Sequence, residues 1–169
     1  MSAAPNDAEL GDLARRAGER LLARKEWLAT AESCTGGLIA KLCTDIPGSS
    51  AWFERGLVTY SNAAKQELLK VPAAVVQASG AVSAEAVQAM SAGLLAAAPV
   101  QWTIAVSGIA GPDGGTADKP VGTVWIAWSG TGVAVAASRF QFAGDRDAVR
   151  RRSAAAALQG LLNLLQAVH

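Results

Sequence analysis

The sequence predicts an α/β fold: a three-layer α/β/α sandwich around a mixed, mostly parallel sheet. Three observations carry this. Strand-like runs at 27–29, 53–60 and 102–106 are separated by stretches of helical periodicity, the order that gives parallel strands joined by helices, and a further run at 121–128 opens a hairpin. Two of those runs lead into a turn and then a helix, as strand–turn–helix units do. Apolar residues make up 51% of the chain and charged residues 17%, enough to bury a substantial core in one domain spanning residues 1–169, ordered over about 8–167.

Asn6 or Asp7 offers a cap, and Leu10, Leu13, Ala14, Ala17, Leu21 and Leu22 then recur at helical spacing, with Arg15, Arg16, Glu19, Arg20 and Arg24 elsewhere. The first strand follows and runs to about Glu32, and a second helix to about Thr44. Pro47-Gly48-Ser49-Ser50 is a turn. Residues 53–60 form the next strand, Ser61 or Asn62 caps a helix carrying Lys65, and Pro72 ends it. Residues 75–78 are a short helical piece broken by Ser79-Gly80. Ser83 caps a long alanine-rich helix from Ala84 to about Ala97, with Glu85 in the first turn where the helix dipole favours it. The strand at 102–106 feeds a glycine-rich loop at 107–116. The strand at 121–128 turns through Gly130-Thr131-Gly132 into residues 133–140 as an antiparallel hairpin. Gly144-Asp145 opens a last helix reaching about Ala167.

The stretch Thr30-Ala31-Glu32-Ser33-Cys34-Thr35-Gly36-Gly37 organises this arrangement, because it places Ser33 at a strand-to-helix turn. Glu32, Cys34, Thr35, Gly36 and Gly37 surround the serine. The small glycines let backbone N–H groups approach a ligand, and the free N–H groups of a helix start cradle an anion or an oxyanion. The same residues also suit plain capping by Ser33 or Thr35. The chain has one histidine, His169, at its last position, so a Ser-His-Asp triad, a Cys-His pair and a histidine-rich metal site are not expected. Acid–base work then falls to Lys, Tyr, Asp or Glu. If the first two strands are parallel neighbours, Ser33, Tyr60 and Lys65 gather at one carboxyl edge, where open α/β sheets bind ligands. A serine with a neutral lysine runs acyl transfer without histidine, and burial or a helix dipole lowers the lysine pKa. Tyr60 at the same edge is expected to give acid–base help, relaying the proton or holding the lysine in place. Equally, Lys65 fits a solvent-facing helix position and Tyr60 a packing position. Cys34 is the rival nucleophile at the same turn.

The glycine-rich loop does not match a P-loop, since Asp113 stands where the second glycine would be, and no G-x-G-x-x-G occurs. Ser107, Gly108 and Gly111 still suit a pocket wall, as they suit a surface hairpin. Arg146 and Arg150 suit a substrate phosphate or carboxylate, within a cluster that also reads as a solvated helix face. Lys and Arg total 15 against 14 Asp and Glu, a net charge of +1, which gives no support for broad nucleic-acid binding. No apolar run approaches a membrane span, and the start lacks a secretory signal. Cys34 and Cys43 are expected as reduced thiols in a cytoplasm. Alanine-rich helix faces and five tryptophans suggest a symmetric homo-oligomer.

Several blocks together resemble the carboxy-terminal domain of the competence-induced CinA proteins. These are residues 30–37, Gly56-Leu57-Val58-Thr59-Tyr60-Ser61-Asn62 with Lys65, Gly80-Ala81-Val82-Ser83, residues 107–115, Pro120-Val121-Gly122-Thr123-Val124, and Gly144-Asp145-Arg146 with Val149-Arg150. The likeness spans roughly residues 8–167, similar to the stand-alone form of that domain. It implies a nicotinamide-nucleotide amidohydrolase that converts nicotinamide mononucleotide to nicotinate mononucleotide and ammonia. It further implies that no metal or other cofactor is needed, and that the family's serine, tyrosine and lysine fall at Ser33, Tyr60 and Lys65. Two other functions stay open from the residues: a Ser-Lys amidase on another small amide, and a non-catalytic binding module associated with competence or DNA recombination.

Overall fold

Five strands set the frame of the computed structural model, which describes residues 2–168; Met1 and His169, the one histidine, lie outside the described residues. They are β1 (Leu28–Glu32), β2 (Phe53–Val58), β3 (Trp102–Gly108), β4 (Thr123–Gly130) and β5 (Val133–Gln141), in the spatial order β2-β1-β3-β4-β5. β1 pairs in parallel with both β2 and β3, whereas β3 with β4 and β4 with β5 pair antiparallel. Four strands therefore run one way and β4 alone runs against them, which is how a mostly parallel sheet holds two antiparallel pairings.

The helices are α1 (Asp7–Arg24), α2 (Leu38–Thr44), α3 (Asn62–Leu69), α4 (Ala73–Ser79), α5 (Ala84–Ala97) and α6 (Arg146–Ala167), with one 3₁₀ turn at Ser49–Ala51. Their starts follow local chemistry. Asn6 and Glu9 form a reciprocal capping box on α1. Ser61, of the two candidates, caps α3 by accepting from the Ala64 N–H at 3.0 Å. Ser83 caps α5 and Asp145 caps α6.

Alternation along the strands sorts the core into two layers. Leu28, Ile104, Val106, Val124, Ile126 and Trp128 face α1, α2 and α6. Ala29, Ala31, Ala105 and Ala127 face the other way, onto Val87, Met90 and Leu94 of α5. The alanines let α5 lie close to the sheet. A Cβ added at Gly93 would sit 1.9 Å from the Leu69 carbonyl oxygen, so α5 also touches the end of α3 at a distance only glycine allows. Where the alanine layer turns polar, Ser91 bonds Thr103 at 2.9 Å and Ser129 at 2.7 Å, so these three buried hydroxyls satisfy one another.

Several strand ends differ from the sequence expectation: β4 spans Thr123–Gly130 rather than 121–128 and β5 runs one residue further, to Gln141, while the ends of β2 and β3 bear on the site. β2 stops at Val58: Thr59 still donates its N–H to the Glu32 carbonyl at 2.8 Å, and the chain then turns so that Ser61 can cap α3. β3 continues to Gly108, because β4 keeps pairing with it up to Gly108 opposite Val124. Since β1, β2 and β3 are parallel and Glu32 is in register with both Val58 and Val106, three loops leave the sheet at one edge.

Candidate active site

Ser33 is the first residue past β1. Its N–H donates to the Val106 carbonyl at 3.0 Å, which ties it to the end of β3. Lys65, on the first turn of α3, reaches back beneath it. The Lys65 Nζ lies 3.1 Å from Ser33 Oγ, 2.7 Å from the Thr59 carbonyl and 3.3 Å from the Tyr60 carbonyl. Lys65 is only 1% exposed, and no carboxylate pairs with it among the described residues. Burial lowers its pKa, since an uncompensated ammonium is costly away from water. A neutral amine here accepts the Ser33 hydroxyl proton at hydrogen-bond distance, the geometry a general base requires.

The turn that follows is held by Glu32. Its carboxylate is buried and accepts from Gly37 and Ile39 through Oε2, each at 3.1 Å, and from Ala40 through Oε1 at 2.8 Å. Gly37 starts α2 with φ of +95° and has no side chain to cap with, so Glu32 serves as the cap from five residues upstream. This changes the reading of the turn as an anion cradle. The Gly37 N–H is spent on Glu32, and the Gly36 N–H donates to the Ser33 carbonyl at 3.0 Å. The N–H groups of Cys34 and Thr35 remain without an acceptor among the described residues. The Thr35 carbonyl accepts from Arg150 at 3.0 Å, so Arg150 braces this turn from α6.

A cavity of about 310 Å³ opens over Ser33. Of the residues singled out from the sequence, it is lined by Ser33, Cys34, Tyr60, Lys65, Ser107, Gly108, Gly111 and Arg146. Glu32, Thr35, Gly36, Gly37 and Arg150 stand behind it. Asn62 and Asp113 line it as well. The only signal for them was position, one at the β2–α3 turn and the other inside the glycine-rich loop. Tyr60 is 60% exposed at the mouth, and its hydroxyl accepts from Arg146 Nη2 at 3.0 Å. It makes no hydrogen bond to Ser33 or Lys65 among the described residues; only its backbone carbonyl reaches Lys65. Arg146 Nη1 donates to the Gly111 carbonyl at 2.8 Å, so this guanidinium joins α6, the glycine-rich loop and the β2–α3 turn.

Cys34 is 5% exposed, and burial pushes its thiol up to about 12, far from the thiolate a nucleophile needs. Cys43 is likewise free and buried, its pKa raised by burial and the nearby Glu32 charge. Among the described residues no three His, Cys, Asp or Glu side chains form a metal-holding group, and no helix is long and apolar enough to cross a membrane.

The family model of the CinA C-terminal domain matches residues 10–165. The nicotinamide-nucleotide amidohydrolase PncC of Pseudomonas putida is 57% identical over 152 residues, covering 90% of this chain and 94% of that protein. The enzyme of the same name from Enterobacter agglomerans is 52% identical over 157 residues, covering 93% and 96%. The crystal structure of the competence/damage-inducible protein CihA from Agrobacterium tumefaciens superposes with a TM-score of 0.91 at 39% identity, over 97% of this chain and 99% of that one. With its whole α/β core and the Ser33 cavity inside the matched residues, this chain belongs to the CinA C-terminal domain family.

Proposed function

We propose that this chain is a nicotinamide-nucleotide amidohydrolase that hydrolyses the carboxamide of nicotinamide mononucleotide through Ser33. The observation that carries the chemistry is the buried Lys65 Nζ, 3.1 Å from Ser33 Oγ and without a carboxylate partner. The substrate follows from the names of the relatives, which cover nearly the whole chain.

Neutral Lys65 takes the Ser33 proton as Oγ attacks the carboxamide carbon. The Cys34 N–H, next to the nucleophile and free of other acceptors, donates to the developing oxyanion; one such donor is worth about 3 kcal/mol. The Lys65 ammonium then returns the proton to the leaving nitrogen, and ammonia departs. Water, deprotonated by the same lysine, hydrolyses the acyl-serine and releases nicotinate mononucleotide. Ser107, Gly108 and Gly111 form the wall against which the ribose lies, and Arg146 receives the phosphate. Arg150 acts at one remove, through the Thr35 carbonyl. A cytoplasmic location suits this nucleotide substrate and the two free thiols.

The test is ammonia release from nicotinamide mononucleotide, with chelator present, by the wild type and by Ser33→Ala. Release by the wild type that vanishes in the variant is the expected outcome. Release by both removes Ser33 as nucleophile, and release by neither rejects the substrate.

A further inference from the structure

We propose that Tyr60 is a positioning residue whose hydroxyl fixes the Arg146 guanidinium across the cavity mouth, where Arg146 receives the anionic group of the substrate. The proposal rests on the nucleotide reading above and gives Tyr60 a role different from acid–base help to the serine and lysine.

The geometry separates Tyr60 from the proton path. Lys65 already has Ser33 Oγ and two backbone carbonyls around it, and one of those carbonyls belongs to Tyr60. The phenol leaves in the other direction, to the exposed mouth, and meets Arg146 at 3.0 Å. Ser33 and Lys65 are buried at the cavity floor, with relative exposures of 8% and 1% against 60% for Tyr60.

Arg146 is badly placed for its own helix. It is the first residue of α6, where the helix dipole repels a cation. The flanking carboxylates do not compensate: Asp145 caps the Ala148 N–H and Asp147 pairs with Arg151. Arg146 itself forms no ion pair among the described residues. Its two hydrogen bonds, to Gly111 and Tyr60, come from different loops and hold the guanidinium plane in place. A guanidinium has five N–H donors, so three remain for a ligand, and its planar fork suits a phosphoryl group. An unpaired, pre-oriented cation on a cavity wall fits an anion supplied by the substrate. Without the Tyr60 hydroxyl, one of the two tethers is lost and part of the binding energy goes to ordering the side chain.

Steady-state kinetics on nicotinamide mononucleotide for the wild type, Tyr60→Phe, Arg146→Ala and the double variant test this. Tyr60→Phe removes one oxygen from an exposed ring, so folding is not at risk. The expected result is a KM raised roughly three- to ten-fold, as for loss of one hydrogen bond, with kcat within about two-fold and the pH profile of kcat unmoved. Arg146→Ala raises KM further, and adding Tyr60→Phe to it changes nothing more, because the phenol acts through the arginine. A kcat loss of about 100-fold in Tyr60→Phe, or a shifted pH profile, places the phenol in proton transfer and overturns the proposal. Independent, additive effects of the two substitutions overturn it as well, as does a Tyr60→Phe variant with wild-type KM. A wild type that releases no ammonia rejects the nucleotide reading itself, an outcome distinct from all of these.

Discussion

Replacing Glu32 by Gln keeps the side chain's size while removing its charge and one of its two acceptor oxygens. Glu32 accepts three backbone N–H groups, two on Oε2 and one on Oε1. The best rotamer of the amide puts its oxygen where Oε2 was and keeps Gly37 and Ile39. Its NH2 then faces the Ala40 N–H, so two buried donors meet without an acceptor. A hydrogen bond to a charged group contributes about 1.5–3 kcal/mol, and each unsatisfied buried donor costs about 1–3 kcal/mol. Loss of charge assistance on the two surviving bonds adds to this, and relaxation of α2 takes some back. The net expectation is about 3 kcal/mol, near what is typical for breaking a buried polar network. For a chain of this size each kcal/mol moves Tm by roughly 2–4 °C, so Tm falls by roughly 6–12 °C. Thermal unfolding followed by circular dichroism measures it. Since the same carboxylate holds the turn that carries Ser33, kcat also falls at temperatures well below Tm. A Tm change under about 2 °C, with kcat retained, would refute the view that Glu32 is the cap of α2 and the brace of the nucleophile turn.

Lys65→Met removes the amine while keeping a long apolar stem, and turnover is expected to fall at least about 100-fold. Burial lowers the Lys65 pKa below the ordinary lysine value of 10.5, and only the neutral amine accepts the Ser33 proton. The wild-type kcat/KM therefore rises with pH through a group titrating below 10.5 that is missing from the residual activity of the variant. Stability moves the same way. Below the lowered pKa both states hold the proton and the cost of burial is fully present; between it and 10.5 the unfolded state binds more protons, so the Lys65 contribution rises with pH. A pH-titrated unfolding series in which wild type loses stability relative to Lys65→Met across that window contradicts this. Because burial holds the Cys34 thiol near 12, the native protein is expected to resist iodoacetamide at pH 8 and keep its activity, whereas the unfolded chain is alkylated. Rapid native alkylation of Cys34, read by peptide mass analysis, rules out its buried, protonated state.

Much of the fold was legible because its signals are local. Asn6 followed by Glu9, Ser83 before an alanine-rich stretch, and Gly130-Thr131-Gly132 between apolar runs each fix an element boundary through bonds that span a few residues. The strand ends were less legible. β3 is extended to Gly108 by a partner strand that starts at Thr123, and no property of residues 107–108 alone announces that pairing. At the site, Ser33 and Lys65 stood out for their residue types and their place after a strand. The roles of Glu32, Gly36 and Gly37 were not readable. Whether a helix-start N–H is free for a ligand depends on where a neighbouring carboxylate points, and Glu32 points back onto its own turn.

The sequence by itself determined the order of strands and helices, the placement of Ser33 at a strand-to-helix turn, and a composition whose one histidine is the last residue, His169, since periodicity, capping residues and composition are written in the chain itself. The tertiary structure decided which of these residues meet. Lys65 reaches Ser33 across 32 positions because β1 and β2 are parallel neighbours in register, and Arg146 reaches the Tyr60 hydroxyl across 86 because α6 returns to the same sheet edge. Such contacts depend on register and side-chain direction in the folded chain, quantities that emerge only when the two core layers pack against the sheet.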